Sequence, residues 1–290
     1  MRIALDALKG HSLNVERSGS GPNTIIAIHG FTGSAATWDP FVGAAGNDYS
    51  LMLPELQGHG KSDAPEDPEL YDMKHTIMAL AEIADRLEVR KAHWLGYSLG
   101  GRVALAAAIS LTDRTLSLTI ESGSAGLDNI EEKTNRIRSD AALADKIEHA
   151  GIPGFVDYWE SLPLWSGQSR LPSSVREKIR TERLANNSLG LSNSLRGIGV
   201  GAQPSFHKEL FGLSIPSLFV AGEEDAKFSE IARRMHRTVS ESKLCLMAES
   251  GHAVHLEQPE FFNRAVLDFL SAVDCPLNTL QTQPGSQPNR

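Results

Sequence analysis

The stretch Lys91 to Leu105, KAHWLGYSLGGRVAL, constrains this chain more than any other. The apolar run Ala92 to Leu95 predicts a buried strand, Gly96-Tyr97-Ser98-Leu99-Gly100 a sharp turn, and the residues from Gly101 an apolar helix. Glycines two positions either side of Ser98 let strand and helix approach without a clash, and the turn holds the serine in a strained backbone conformation. The hydroxyl then projects above the sheet at the positive end of the helix. This is the pattern of a nucleophile elbow. The alternative is a plain glycine-rich turn with an ordinary serine, so the rest of the chain has to supply a base, an acid and an oxyanion site.

The surrounding sequence alternates strands with helices. Ile3 to Leu5 and Ser12 to Val15 read as two short strands joined through Lys9-Gly10. Thr24 to His29 is a β-branched run suited to a strand buried on both faces, and it ends in His29-Gly30-Phe31-Thr32-Gly33. A helix follows with a serine cap at Ser34, then a strand from Ser50 to Leu53 and helical spacing from Thr76 to Leu87. After the elbow, Leu116 to Glu121, Ile215 to Gly222 and Lys243 to Met247 read as further strands, with a helix over Phe228 to Val239 and another opened by Pro259. Such alternation calls for a mostly parallel sheet covered by helices on both faces.

The rhythm breaks between Ser122 and Ser214. That segment is helical in composition, holds most of the clustered charge, and carries Phe155, Tyr158, Trp159 and Trp165. Aromatics beside charges suit a lid over a polar ligand better than a separate structural domain. The expected organisation is therefore a core of 1–121 and 215–275, a helical lid over 122–214, and a disordered tail over 276–290.

Charge narrows the partners. With 28 Lys+Arg against 36 Asp+Glu the formal net charge is -8, which disfavours nucleic acid or an anionic membrane. Any anionic ligand has to be met by locally placed cations. The two cysteines, Cys245 and Cys275, have no CxxC spacing and predict reduced thiols in a cytoplasmic protein, with neither a disulfide framework nor a metal site. The N-terminus lacks a signal-peptide core and no apolar run approaches a membrane span. Whether the chain forms a homo-oligomer is not legible in its sequence.

Three side chains at predicted strand ends occur in the order Ser98, Asp225, His252. Asp225 competes with Glu223 and Glu224 for the acid, and His252 with His255 for the base; the place directly after Gly251 favours His252. With this order, Ile3 to about Val273 resembles the α/β-hydrolase superfamily. The resemblance implies that His252 takes the Ser98 proton, that Asp225 orients the imidazole, and that the N–H groups of Phe31 and Leu99 form the oxyanion hole. His59, in Gly-His-Gly, reads as a loop residue.

A narrower resemblance rests on His29 to Ser34 with Thr37-Trp38, on Gly96 to Arg102, and on several lid motifs. These are Phe155-Val-Asp-Tyr-Trp159-Glu, Glu182-Arg183-Leu-Ala-Asn-Asn187 and Leu195 to Gln203-Pro-Ser. Together with Gly222 to Phe228 and Gly251 to His255 they are similar to the 2-succinyl-6-hydroxy-2,4-cyclohexadiene-1-carboxylate synthases of menaquinone biosynthesis. Glu55 stands where that family more often has Asp. The resemblance implies a lyase that needs no cofactor or metal and acts on a small tricarboxylate substrate. Tyr97, Arg102, Arg136, Trp159 and Arg183 are then the substrate-binding residues, with Lys133 and Arg138 as competitors for the place of Arg136. Two rival readings use the same residues: a serine esterase or carbon–carbon bond hydrolase, and a non-catalytic ligand-binding protein of the same fold.

Overall fold

A computed structural model describes residues 1–275; the expected tail lies outside the described residues. Eight strands form one sheet in the order β1-β2-β4-β3-β5-β6-β7-β8. They are β1 (Arg2–Ala4), β2 (Ser12–Ser18), β3 (Asn23–Ile28), β4 (Tyr49–Pro54), β5 (Ala92–Tyr97), β6 (Thr115–Glu121), β7 (Ser217–Gly222) and β8 (Ser242–Met247). β1 pairs antiparallel with β2 and β2 with β4, and every other pairing is parallel. Between β1 and β2 the chain makes a 3-10 turn before Lys9 and Gly10 both take positive φ.

The helices are α1 (Asp39–Ala45), α2 (Met73–Arg86), α3 (Leu99–Ser110), α4 (Ile130–Glu160), α5 (Ser173–Leu184), α6 (Ser188–Ile198), α7 (His207–Leu210), α8 (Ala226–Thr238), α9 (Val254–Glu257) and α10 (Pro259–Asp274). Alternate residues of the central strands feed two cores, as the two-residue strand period requires. Ile26 and Ile28 join Leu80, Ile83 and Val103 from α2 and α3 on one face. Ile25 and Ala27 join Phe41, Phe262 and Val266 from α1 and α10 on the other. β5 and β7 are buried along their whole length, which is why they read as continuous apolar runs.

No strand occurs from 122 to 214; α4 to α7 fill that insertion between β6 and β7. The long α4 is kinked at Gly151 (φ 67), just before Pro153, where the backbone leaves the helical region. The insertion has its own small core of Ala144, Ile147, Phe155, Val156, Leu191 and Leu195, against which Phe31 and Trp159 pack. Among the described residues no helix is long and apolar enough to cross a membrane.

Candidate active site

The elbow places Ser98 at φ 53, ψ -106 between β5 and α3. Its glycines have no room for a side chain. A Cβ on Gly96 would lie 2.1 Å from the Gly100 carbonyl oxygen, and one on Gly100 would lie 2.0 Å from that of Ile28 in β3. The second clash is with the neighbouring strand, so the elbow is locked into the sheet as well as onto its own helix. α3 begins at Leu99, two residues earlier than the apolar pattern predicts.

Because β5, β7 and β8 run parallel, their carboxyl ends open on one edge of the sheet. There the Ser98 hydroxyl donates to His252 Nε2 at 3.0 Å, and His252 Nδ1–H donates to Asp225 Oδ2 at 2.7 Å. The carboxylate partner assigns the proton to Nδ1 and leaves Nε2 free to accept. Burial would raise the Asp225 carboxyl, but the hydrogen bonds from His252 and from the Phe228 N–H outweigh it and hold the pKa below the usual range. The rings of Phe228, Tyr97 and Trp165 surround the imidazole, with centroids 4.6, 5.5 and 5.7 Å away.

The competitors stand apart. Glu223 and Glu224 are exposed, and Glu224 pairs with Arg170 at 2.8 Å. His255 turns away from Ser98; its backbone N–H and its ring Nδ1–H donate to the fully buried carboxylate of Glu121 at 3.0 and 2.9 Å. Glu121 also accepts the Ser98 N–H on its main-chain carbonyl, at 2.8 Å.

Phe31 and Leu99 both line the cavity that opens over Ser98. The loop carrying Phe31 is pinned on both sides. His29 donates from Nδ1 to the Gly30 carbonyl at 2.8 Å and accepts the Leu56 N–H on Nε2 at 3.0 Å, and burial lowers its pKa. From the insertion, Glu182 accepts from the Ser34 N–H and hydroxyl, both at 2.6 Å, and from the Thr37 hydroxyl at 2.9 Å. Asn186 donates to the carbonyl of Thr32, a non-glycine residue at φ 70. Glu55 has a structural part beside this loop: its carboxylate accepts the N–H groups of Ala35 and Lys61 and the Asn14 amide.

The cavity measures about 740 Å³ and is lined by Tyr97, Arg102, Arg136 and Trp159 as well as by Ser98 and His252. Arg102 does not stand free at its mouth, as its position one turn beyond the nucleophile suggests. It is 7 % exposed, and Nη1 donates to the Ile198 carbonyl at 2.7 Å and to Gln203 Oε1 at 2.5 Å. The Ile198 carbonyl is at the C-terminus of α6, whose negative end offsets the unfavourable place of the cation in the first turn of α3. Burial, then repulsion from Arg136, push the guanidinium down to about 9. Arg136 pairs with Asp140 at 2.7 Å; Lys133 and Arg138 do not line the cavity.

Arg183 is placed elsewhere. It lines a second cavity of about 180 Å³ that shares Phe31, Tyr97 and Trp165 with the first. Its guanidinium lies 4.9 Å over the Trp165 ring and contacts Glu160 and Gln168. Tyr97 Oη, Trp165 Nε1, Gln168 Nε2 and His255 Nε2, from residues lining this cavity, are buried with no partner among the described residues. The sequence gives no role to Gln203, Gln168 or Glu182 and no hint that Glu121 pairs with His255. The first three lie in the insertion; Gln203 and Glu182 stand within the family-like motifs, which assign them no role.

A strained serine on a strand-to-helix turn, bonded to a histidine and an aspartate from later parallel strands, defines a class. The family model described as alpha/beta hydrolase fold matches residues 23–259, and this chain belongs to that family. Its relatives are more particular. A Bacillus subtilis protein provisionally named 2-succinyl-6-hydroxy-2,4-cyclohexadiene-1-carboxylate synthase is 39% identical over 256 residues, spanning 87% of this chain and 93% of that protein. The synthase of that name from Yersinia enterocolitica is 30% identical over 273 residues, spanning 93% and 94%. Among solved structures, MenH from S. aureus superposes with a TM-score of 0.86 at 30% identity, covering 90% of this chain and 98% of that one. A thermophilic esterase from Thermogutta terrifontis superposes at 0.81 with 27% identity, covering 94% and 98%.

Proposed function

We propose that this chain is a carbon–oxygen lyase of menaquinone biosynthesis. It eliminates pyruvate from 2-succinyl-5-enolpyruvyl-6-hydroxy-3-cyclohexene-1-carboxylate to give 2-succinyl-6-hydroxy-2,4-cyclohexadiene-1-carboxylate. The observation that carries the reading is the end-to-end similarity to the Bacillus subtilis protein, 39% identical across 87% of this chain. The chemistry of the cavity supports it: three arginines, Arg102, Arg136 and Arg234, and Lys227 share that cavity with Ser98 in a protein of net charge -8.

In this reading Ser98, His252 and Asp225 are a catalytic triad working as a base. His252 takes the hydroxyl proton as Ser98 Oγ removes the proton from the ring carbon next to the succinyl carbonyl. The C–H electron pair is first held as an enolate, its oxygen facing the Phe31 and Leu99 N–H groups. It then returns through the ring double bond and breaks the C–O bond to the enolpyruvyl group. The leaving group takes up a proton and is released as pyruvate. Asp225, kept ionised by its hydrogen bonds, stabilises the imidazolium formed in between. Arg102 and Arg136 meet carboxylates in the large cavity and Trp159 packs on the ring. The Tyr97 hydroxyl, without a partner among the described residues, and the buried Arg183 offer donors to a further carboxylate at the small cavity.

A second reading, ester or carbon–carbon bond hydrolysis, draws on the 27% identical esterase of similar fold. Coupled pyruvate detection separates the two. The purified chain should release pyruvate from the enolpyruvyl substrate far faster than it hydrolyses p-nitrophenyl esters, and Ser98→Ala should abolish the release. Ester hydrolysis without pyruvate release would replace the lyase reading. Ligand binding with neither activity would leave a non-catalytic binding protein.

A further inference from the structure

Glu257 ends α9, five residues after His252, and its side chain is 4% exposed. Oε2 accepts the N–H of Gly251 at 2.8 Å and Oε1 accepts that of Ala253 at 3.3 Å. The carboxylate therefore grips the residues on both sides of His252. The bare backbone at Gly251 permits this, since a Cβ there would already come within 3.2 Å of Oε1.

The insertion presses on the same carboxylate from the other side. Gly167, in the 3-10 turn Pro163–Arg170, lies so close that a Cβ would be 1.9 Å from Glu257 Oε2. Arg170 of that turn approaches Oε2 to 3.5 Å while its Nη2 donates to Glu224 Oε2 and to the Glu249 carbonyl at 2.8 and 3.2 Å. Glu224 directly precedes Asp225, and Glu249 lies in the loop that leads from β8 to His252. A buried carboxylate is costly unless its oxygens are occupied, and here peptide groups of the histidine loop occupy them.

We propose that Glu257 is a positioning residue for the His252 imidazole. It holds the main chain on both sides of the histidine, and the Gly167–Arg170 turn keeps it seated. The two bonds of the ring, 3.0 Å to Ser98 and 2.7 Å to Asp225, tolerate little displacement of that loop. The inference rests on the Ser98–His252–Asp225 array alone and holds whichever reaction the array performs.

The test is NMR of protein labelled with 15N-histidine, using His252→Ala to assign the low-field Nδ1 proton bonded to Asp225. This signal needs no substrate, so its outcome is independent of the lyase reading. Glu257→Gln can accept only one of the two N–H groups and turns its own NH2 on the other. It should lose or broaden that signal and lower kcat roughly 10- to 100-fold with KM within about threefold, on whichever substrate the wild type turns over. Glu257→Asp keeps the charge on a shorter arm and should recover part of both. Melting curves and near-UV circular dichroism report on the fold. A wild-type signal with kcat within about twofold in the folded Gln variant overturns the proposal. Should that variant fail to fold, the Asp variant decides: a weakened signal with lowered kcat supports the proposal, and wild-type values of both overturn it.

Discussion

Replacing Arg102 by methionine tests whether a buried cation is kept for a ligand at the expense of the fold. Burial and Arg136 bring the guanidinium down to about 9. At roughly 1.4 kcal/mol per pH unit, this corresponds to about 3–5 kcal/mol by which the folded protein disfavours the charge at neutral pH. An anion placed against Arg102 would recover much of that energy. Loss of the pair should therefore cost about 2–4 kcal/mol in kcat/KM, or roughly 30- to 1000-fold, carried mainly by KM. Stability moves by less. Methionine removes the disfavoured charge and keeps the apolar stem, but it strips a donor from the Ile198 carbonyl and from Gln203 Oε1. Each orphaned acceptor costs about 1–3 kcal/mol, so the two effects largely cancel. The assays are steady-state pyruvate release and thermal melts with and without product. Wild-type protein should melt higher with product, and the variant's melting temperature should be indifferent to it. A kcat/KM within about threefold of wild type would refute the reasoning, since the buried charge would then have no anionic partner to answer it.

Two further outcomes follow from buried histidines. His255→Ala leaves the fully buried Glu121 carboxylate without its side-chain partner, so it should destabilise the protein by about 3–5 kcal/mol in chemical denaturation. His252→Ala should instead abolish turnover with a far smaller change in stability, and a reversal of these two patterns would exchange the roles of the histidines. Burial pushes His59 down to about 3, aided by repulsion from His29, and its Nδ1–H is bonded to the Gln57 carbonyl. The folded state thus binds the His59 proton more weakly than the unfolded state. This contribution to stability is complete above about pH 6.5 and is lost as pH falls toward 3, at up to about 1.4 kcal/mol per pH unit. Denaturant titrations from pH 7 to 4 should show a shallower acid decline for His59→Gln than for wild type, and equal slopes would contradict the assignment.

Much of the architecture was legible because it depends on local pattern. Fully buried strands must be apolar throughout, so β3, β5 and β7 stood out, with ends within a few residues of those observed. The elbow glycines were legible because no other residue fits where a Cβ would overlap a carbonyl oxygen. The order Ser98, Asp225, His252 was legible because each follows a parallel strand, and parallel strands bring their carboxyl ends to one edge. Edges of elements were less so: α3 starts at Leu99 because Ser98 itself forms the N-terminal boundary, which apolar periodicity does not register.

What the chain's own sequence determined, then, is the sheet, its two helical faces and the loops from which serine, aspartate and histidine emerge. Burial and steric exclusion act residue by residue and leave a trace in composition. Only the tertiary structure decided which groups pair. His252 and His255 are three residues apart, and they part company because a carboxylate from β6, at Glu121, takes the second. Arg102 and Arg183 are both arginines within helices, yet one enters the large cavity bound to the end of α6 and the other lies over the Trp165 ring. Glu257 carries no periodic or motif signal; its meaning comes from two peptide N–H groups and a glycine ninety residues earlier that leaves it room. Ion pairs and hydrogen bonds of this kind join residues far apart in the chain, and their geometry exists only once the elements have packed.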